Sequence, residues 1–185
     1  MGAYVQDLIS LSKKIKFLAG IRWSYQDASP TDTLFFASNI HSSGAAHKTD
    51  KAFSPRLGVV YRPTSQTSLF ASYSNSFLVN TGTDVYGNPL SPSIVDQYEI
   101  GVKNELIKNM LSANLTVYRI LNNNLTQMVP FLADGVTPNS NSSIKEFAGQ
   151  TTSDGVELDA TLFLLKGLDM IAGYSYNYIL SLIHI

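Results

Sequence analysis

Ser153-Asp-Gly-Val-Glu-Leu-Asp-Ala-Thr-Leu-Phe163, then Leu164-Leu-Lys-Gly167, then Leu168-Asp-Met-Ile-Ala-Gly-Tyr-Ser-Tyr-Asn-Tyr178, is the stretch whose pattern decides the fold. Two runs alternate apolar and polar residues around one very short turn. In the first, Val156, Leu158, Ala160 and Leu162 share a face, opposed by Glu157, Asp159 and Thr161. In the second, Leu168, Met170, Ala172, Tyr174, Tyr176 and Tyr178 oppose Asp169, Gly173, Ser175 and Asn177. A period of two gives a strand with one dry face and one wet face. What the dry face meets, a protein core or lipid, is the question the rest of the chain answers.

Working outward, the same alternation recurs. It predicts strands over Gly2 to Leu11, Ile15 to Gln26, Phe53 to Arg62, Ser68 to Ser76, Val95 to Glu105 and Met110 to Asn122, with the opening hairpin supplying the last two. The clearest in the first half places Ile15, Phe17, Ala19, Ile21, Trp23 and Tyr25 on one face. Short turns join successive strands within each pair. Long polar connections, Asp27 to Lys51, Phe77 to Ile94 and Asn123 to Thr151, join one pair to the next. Strict short/long alternation is the signature of a transmembrane β-barrel, whose turns are short on the periplasmic side and long outside. Loops of this length are uncommon in compact soluble domains.

The faces agree. Lys16, Arg22, Arg56, Arg62, Glu99, Lys103, Glu157 and Asp159 fall on the wet faces, and the dry faces carry almost no charge. Strands of ~10 residues at a tilt of ~45° cross a bilayer core. Aromatics cluster near the ends of the dry faces: Phe17 and Tyr61 toward the short turns, and Trp23, Tyr25, Phe53, Tyr174 and Tyr176 toward the long connections. Two interfacial girdles have that form.

Composition narrows the function classes. Among 185 residues, 44% are hydrophobic, which excludes disorder. Mean hydropathy is +0.03 and no apolar run is long enough for a membrane helix. A net charge of −1 and a pI near 6.3 give no reason to expect a nucleic-acid partner. Cysteine is absent, so there is neither a disulfide nor a thiolate metal site. His41 and His47 sit in a polar connection without the three or four convergent ligands a metal needs. Glu157 and Asp159 read as solvated lumen charges, near a plug or near Arg and Lys on neighbouring strands, more than as a catalytic carboxylate pair. No G-x-S-x-G, phosphate-loop or H-E-x-x-H pattern occurs. No catalytic residue, cofactor or protein metal site is expected. The residues alone leave three architectures: part of a large outer-membrane barrel, a complete small eight-stranded barrel with a structural or adhesin role, and a soluble β-barrel binding module.

Several segments resemble the barrel of TonB-dependent siderophore receptors. They are Ser54-Pro-Arg-Leu-Gly-Val-Val-Tyr-Arg-Pro63, Ser68-Leu-Phe-Ala-Ser-Tyr-Ser74, Gln97-Tyr-Glu-Ile-Gly-Val-Lys-Asn-Glu105, the run from Gly149 to Asp159 with Ala172-Gly-Tyr-Ser-Tyr176, and Tyr4-Val-Gln-Asp7 with Leu18-Ala-Gly-Ile-Arg22. They occur in collinear order over most of residues 3–178.

The resemblance implies an all-β, antiparallel, up-and-down transmembrane β-barrel fragment. About eight strands would belong to a barrel of roughly 22, whose lumen is plugged. It implies a receptor in the outer membrane of a Gram-negative bacterium that binds and imports ferric siderophore. Its energy would come from an inner-membrane TonB complex, engaged through a plug segment absent from this chain. Its partners would be the ferric siderophore, the TonB complex and outer-membrane lipid, with iron carried inside the chelate. Ligand contacts would come from aromatics on the external connections, Phe35, Phe36, Tyr86 and Phe131. The alternation breaks after Tyr178, so residues 1–178 are expected to form the partial barrel and 179–185 a non-native or truncated tail.

Overall fold

The computed structural model describes residues 1–28, 32–35, 40–43 and 47–182, with backbone alone for 32–35 and 40–43. Ten strands are present and no helix among the described residues: β1 (Gly2–Ser10), β2 (Ile15–Ala28), β3 (Asp32–Phe35), β4 (Ile40–Ser43), β5 (Lys48–Tyr61), β6 (Thr67–Leu78), β7 (Ser93–Ile107), β8 (Leu111–Met128), β9 (Lys145–Leu165) and β10 (Leu168–Leu182). Eight of them make one antiparallel sheet in the order β1-β2-β5-β6-β7-β8-β9-β10, and β3 and β4 form a separate small hairpin. Every strand of the large sheet pairs with its neighbour in the chain, which is up-and-down topology. The sheet is open, with β1 and β10 as its edges.

Each tight turn has a local cause. In the 11–14 turn the Ser12 hydroxyl accepts hydrogen bonds from the amides of Lys14 and Ile15, both at 3.1 Å. Thr64 does the same for Gln66 and Thr67 between β5 and β6. Asn109, at φ 57°, turns the chain from β7 to β8, and the Glu105 carboxylate accepts its amide at 2.6 Å. Gly167, at φ 88°, turns β9 into β10 where a Cβ would strain the backbone.

Register sorts the side chains cleanly. On one face Ile100 opposes Val117, Val117 opposes Val156, and Val156 opposes Tyr176. One row nearer the turns run Val102, Leu115, Leu158 and Tyr174. On the other face Glu99, Lys103, Thr116, Asn114, Glu157 and Asp159 follow the same registers. The apolar face has nothing above it: Ile100 is 63% exposed, Leu57 53% and Tyr174 65%. No side chain among the described residues is fully buried. A single sheet with a continuous bare apolar face is a membrane surface or an interface, not a soluble fold.

The stagger of the rows is informative. One row runs through Asp7, Ala19, Leu57, Tyr73, Tyr98, Arg119, Asp154 and Tyr178. It begins close to the 11–14 turn and ends far along β10 from the 166–167 turn. The row climbs by about one residue per strand, the stagger that tilts strands in a barrel wall.

Strands extend well beyond the expected boundaries at the long-connection end. Asp27 and Ala28 belong to β2, Lys48 to Ala52 belong to β5, and β3 and β4 form within the expected loop. Asn123 to Met128 and Lys145 to Thr152 pair as β8 and β9, with register irregularities between Asn122 and Thr126. These extensions carry no apolar alternation, so periodicity does not reveal them although the backbones pair. β10 continues past Tyr178 as far as Leu182, which pairs with Gln150, and its register leaves Leu180 and Leu182 on the apolar face. Ile183–Ile185 lie outside the described residues.

Candidate functional site

The most enclosed part of the molecule is its long-connection end. The buried hydrophobic residues, Leu90, Val129 and Ala148, lie there, as do the buried polar Asp50, Ser93 and Asn139. Asn80 is one organising residue. Its amide nitrogen donates to the carbonyls of Ser91 at 2.7 Å and Asn124 at 3.2 Å, and its own carbonyl accepts Lys48 Nζ at 3.1 Å. Lys48 also pairs with Asp50 at 2.8 Å, both largely buried. Ser93 Oγ closes the cluster by donating to the Asn124 carbonyl at 2.7 Å. Lys48 and Asp50 sit on the polar face, opposite Ala28 and Gln26. The 79–92 connection therefore folds over that face.

The 129–144 connection is built around Asn139. Its side-chain amide donates to the carbonyls of Val129 at 3.0 Å, Asn141 at 3.1 Å and Ile144 at 3.3 Å. Its side-chain oxygen accepts the Asn141 amide at 2.8 Å. The two connections are joined: the Thr83 amide donates to Ser143 O at 2.9 Å, and the Lys145 amide to Thr83 O at 2.8 Å. Gly82, at φ 102°, lies against the Ser143 carbonyl so closely that no side chain would fit. Each tip is held by an aspartate. Asp134 accepts the amides of Val136 at 3.0 Å and Thr137 at 2.9 Å, and the Thr137 hydroxyl. The Thr137 hydroxyl, with those amides, holds the Asp134 carboxyl down at about 2. Asp84 accepts the amides of Tyr86 and Asn88 and the Asn88 side chain, and the Asn88 side-chain bond lowers its pKa most.

Beneath this cover lies the polar wall. Glu99 accepts the Ser72 hydroxyl at 3.1 Å. Glu157 faces Thr116 and Ser175, and Asp159 faces Asn114 and Gly173. Of the two surroundings expected for these acids, a plug or Arg and Lys on neighbouring strands, no Arg or Lys stands directly across from either. Phe70 lies over Gly101 and Tyr118 over Gly155, so both rings rest flat against the wall. On the opposite face the row of aromatics ends in polar groups: the Tyr73 hydroxyl donates to Asp96 at 2.7 Å, and Arg119 donates to Asp154 at 2.6 and 2.9 Å. Tyr73 and Tyr98 pack with ring centroids 5.1 Å apart.

Of the four expected ligand contacts, Tyr86 and Phe131 are described in full. Tyr86 stands at the tip of the 79–92 connection, 77% exposed, and Phe131 on the 129–144 connection, 47% exposed. Phe35 lies on β3, whose side chains lie outside the described residues, as does Phe36 altogether. His47 has a partner that sequence did not indicate, Asp27, with Nε2 2.8 Å from the carboxylate. The Asn80 and Asn139 networks were also missed. Their only sequence trace is asparagine in turn-rich segments, which marks a turn but not its partners.

Residues 1–182 match the family model described as TonB dependent receptor-like, beta-barrel. The chain belongs to the TonB-dependent receptor β-barrel family. It is 30% identical over 176 residues to the metal-pseudopaline receptor CntO of Pseudomonas aeruginosa, covering 95% of this chain and 23% of that protein. It is 28% identical over 177 residues to the ferrichrome outer membrane transporter/phage receptor of Escherichia coli, covering 95% of this chain and 21% of that protein. The chain thus spans about a quarter of the length of these curated relatives. Among solved structures, the ferripyoverdine receptor of Pseudomonas aeruginosa superposes with a TM-score of 0.76 at 20% identity, over 97% of this chain and 22% of that one. The alcaligin receptor of Bordetella pertussis gives 0.71 at 20% identity. The chain is a wall segment of such an outer-membrane barrel, with one apolar and one polar face. Its tight turns are periplasmic and its long connections extracellular.

Proposed function

We propose that this chain is the barrel-wall segment of a receptor that binds and imports a ferric siderophore or a related metal chelate. The observation that carries the reading is the family match along residues 1–182, shared with receptors named for ferric-pyoverdine, ferrichrome and metal-pseudopaline. The form of the wall supports it: a polar lumen face under a folded extracellular cover is a route for a polar cargo. The segment takes no chemical step. Import is driven through a TonB complex acting on a plug domain outside this chain, and lipid covers the apolar face. Phe35, Phe36, Tyr86 and Phe131 provide apolar and stacking surface to the chelate at the mouth. The metal travels as cargo inside the chelate.

The test is a receptor in which residues 1–182 replace the matched barrel segment of the Pseudomonas aeruginosa metal-pseudopaline receptor. Shortening 131–142 to a two-residue turn should leave membrane insertion intact and weaken chelate binding at least tenfold. Unchanged binding would refute recognition by this connection.

A further inference from the structure

We infer that the four tight turns form a cationic rim that binds the phosphate headgroups of anionic phospholipid in the leaflet they face. The turns are 11–14, 62–66, 108–110 and 166–167. They hold Lys13, Lys14, Arg62, Lys108 and Lys166, and no acid. These fourteen residues thus carry five of the chain's thirteen Lys and Arg, about five times their share. Tight turns favour Gly, Pro, Asn, Asp and Ser, so backbone geometry does not ask for these bases. The opposite end of the strands has the reverse sign. The 79–92 connection holds Asp84 and the 129–144 connection Asp134, each without a Lys or Arg. Residues 29–47 hold Asp32 and likewise no Lys or Arg.

Backbone bonds lace the turns into one edge. The Arg62 amide donates to Lys14 O at 2.7 Å, the Glu105 amide to Gln66 O at 2.9 Å, and the Phe163 amide to Met110 O at 2.8 Å. Neighbouring turns lie two strand spacings apart, ~10 Å. Cations spread in this way meet separate headgroups of a membrane surface, whereas one small anion would need them convergent. The rim is also continuous with the apolar face. Tyr61, which precedes Arg62, lies on that face opposite Ile15, and interfacial aromatics mark the headgroup level. Leu106 and Ile107, which precede Lys108, are 56% and 49% exposed on an inner strand of the sheet, away from its edges. An apolar residue beside a cation lets the aliphatic stem lie on hydrocarbon while the charged head reaches the phosphates. Arg62 is held at the turn by donating to Ser65 O at 3.2 Å. The acids nearest the turns in sequence lie on strands. Glu105 accepts the Asn109 amide at 2.6 Å, and Asp169 alternates with Leu168 and Met170, which puts it on the polar face. The rim itself is therefore positive, and its complement is a surface of phosphates.

The inference rests on the reading that the apolar face meets lipid, and the test separates the two. A cysteine-free form of the receptor described above, with Leu106→Cys bearing bimane, is placed in phosphatidylcholine vesicles. The vesicles hold either brominated phosphatidylglycerol or brominated phosphatidylcholine as quencher. Both leaflets have the same composition, so the direction of insertion does not matter. The anionic quencher should act at 106 with at least threefold higher apparent affinity, since a cation at a membrane surface is worth on the order of fivefold. Salt at ~1 M should remove that preference. Lys108→Gln combined with Lys166→Gln should cut it at least in half. A second reporter, Val117→Cys, farther along the apolar face, should be quenched equally by both lipids throughout. The preference with all cations intact needs no charge variant, so a substitution that fails to fold does not remove the test. Equal quenching at 106, with 117 quenched, would overturn the rim and leave the lipid-facing reading standing. Absence of quenching at 117 would overturn that reading and the rim with it. A preference that survives both salt and the substitutions would overturn its assignment to these cations. If the two lipids quench equally and the substitutions instead weaken binding of a purified periplasmic TonB domain, the rim serves a protein and the inference again falls.

Discussion

At Gly101 an added Cβ would lie 2.5 Å from Cζ of Phe70 and 2.6 Å from the Leu115 carbonyl. Both are closer than real contacts allow, and the carbonyl cannot give. Gly101→Ala should destabilise the folded barrel by ~1–3 kcal/mol, as overpacking does, measured by urea unfolding in lipid vesicles. If the Phe70 ring accounts for most of the cost, Phe70→Ala in the same protein recovers part of it. Strict additivity of the two substitutions would show that the ring does not rest on the glycine. Asp134 gives a second residue-level prediction. Its folded pKa lies below its ordinary value of 3.8, at about 2. The bonds to Val136 and Thr137 therefore contribute fully above 3.8 and are lost as pH falls through about 2. The amide resonances of Val136 and Thr137 should titrate near that lower value and stay unchanged from neutral pH down to 4 or so. Titration at the ordinary carboxylate value would contradict the turn geometry.

Among elements, the two extracellular connections behave as one unit because Thr83 bonds both Ser143 and Lys145. Asn139 is the keystone of the second. Removing its amide leaves three carbonyls with one donor fewer, and Val129 O is enclosed. Asn139→Ala should cost ~1–3 kcal/mol locally. Hydrogen exchange should speed up across 129–144 and, through the shared bonds, at Thr83, with β7 and β8 below unchanged. Faster exchange confined to 139–144 would show that the connections are independent. The limits of sequence reading are also set at this scale. Val102, Leu115, Leu158 and Tyr174 form a row that is legible because apolar and polar residues alternate strictly along each of its strands. Asn123 to Met128 and Lys145 to Thr152 also pair, with register shifts between Asn122 and Thr126, yet their residues carry no apolar period. Arg22 and Arg56 were legible as wet-face charges. That they are diagonal neighbours, Arg22 facing Ser54 and Arg56 facing Gly20, depends on the β2/β5 register, which joins positions separated by the 27–51 stretch and is written in no local pattern.

For the whole molecule, the stagger of the rows and the two-faced wall point to one arrangement: a tilted, eight-stranded arc whose edges, β1 and β10, continue into further strands of a closed barrel. An open sheet of this kind is untenable in lipid, where every edge amide needs a partner. The central claim is that the apolar face meets lipid and the polar face a lumen. It is tested most directly on β8. The chain has no cysteine, so single cysteines at residues 111–118 of a cysteine-free receptor carrying this segment can each bear a nitroxide. In lipid vesicles, collision with oxygen should be high at Leu111, Ala113, Leu115 and Val117 and low at Ser112, Asn114, Thr116 and Tyr118, a strict period of two. A uniform profile, or one with the even positions exposed to oxygen, would contradict the account.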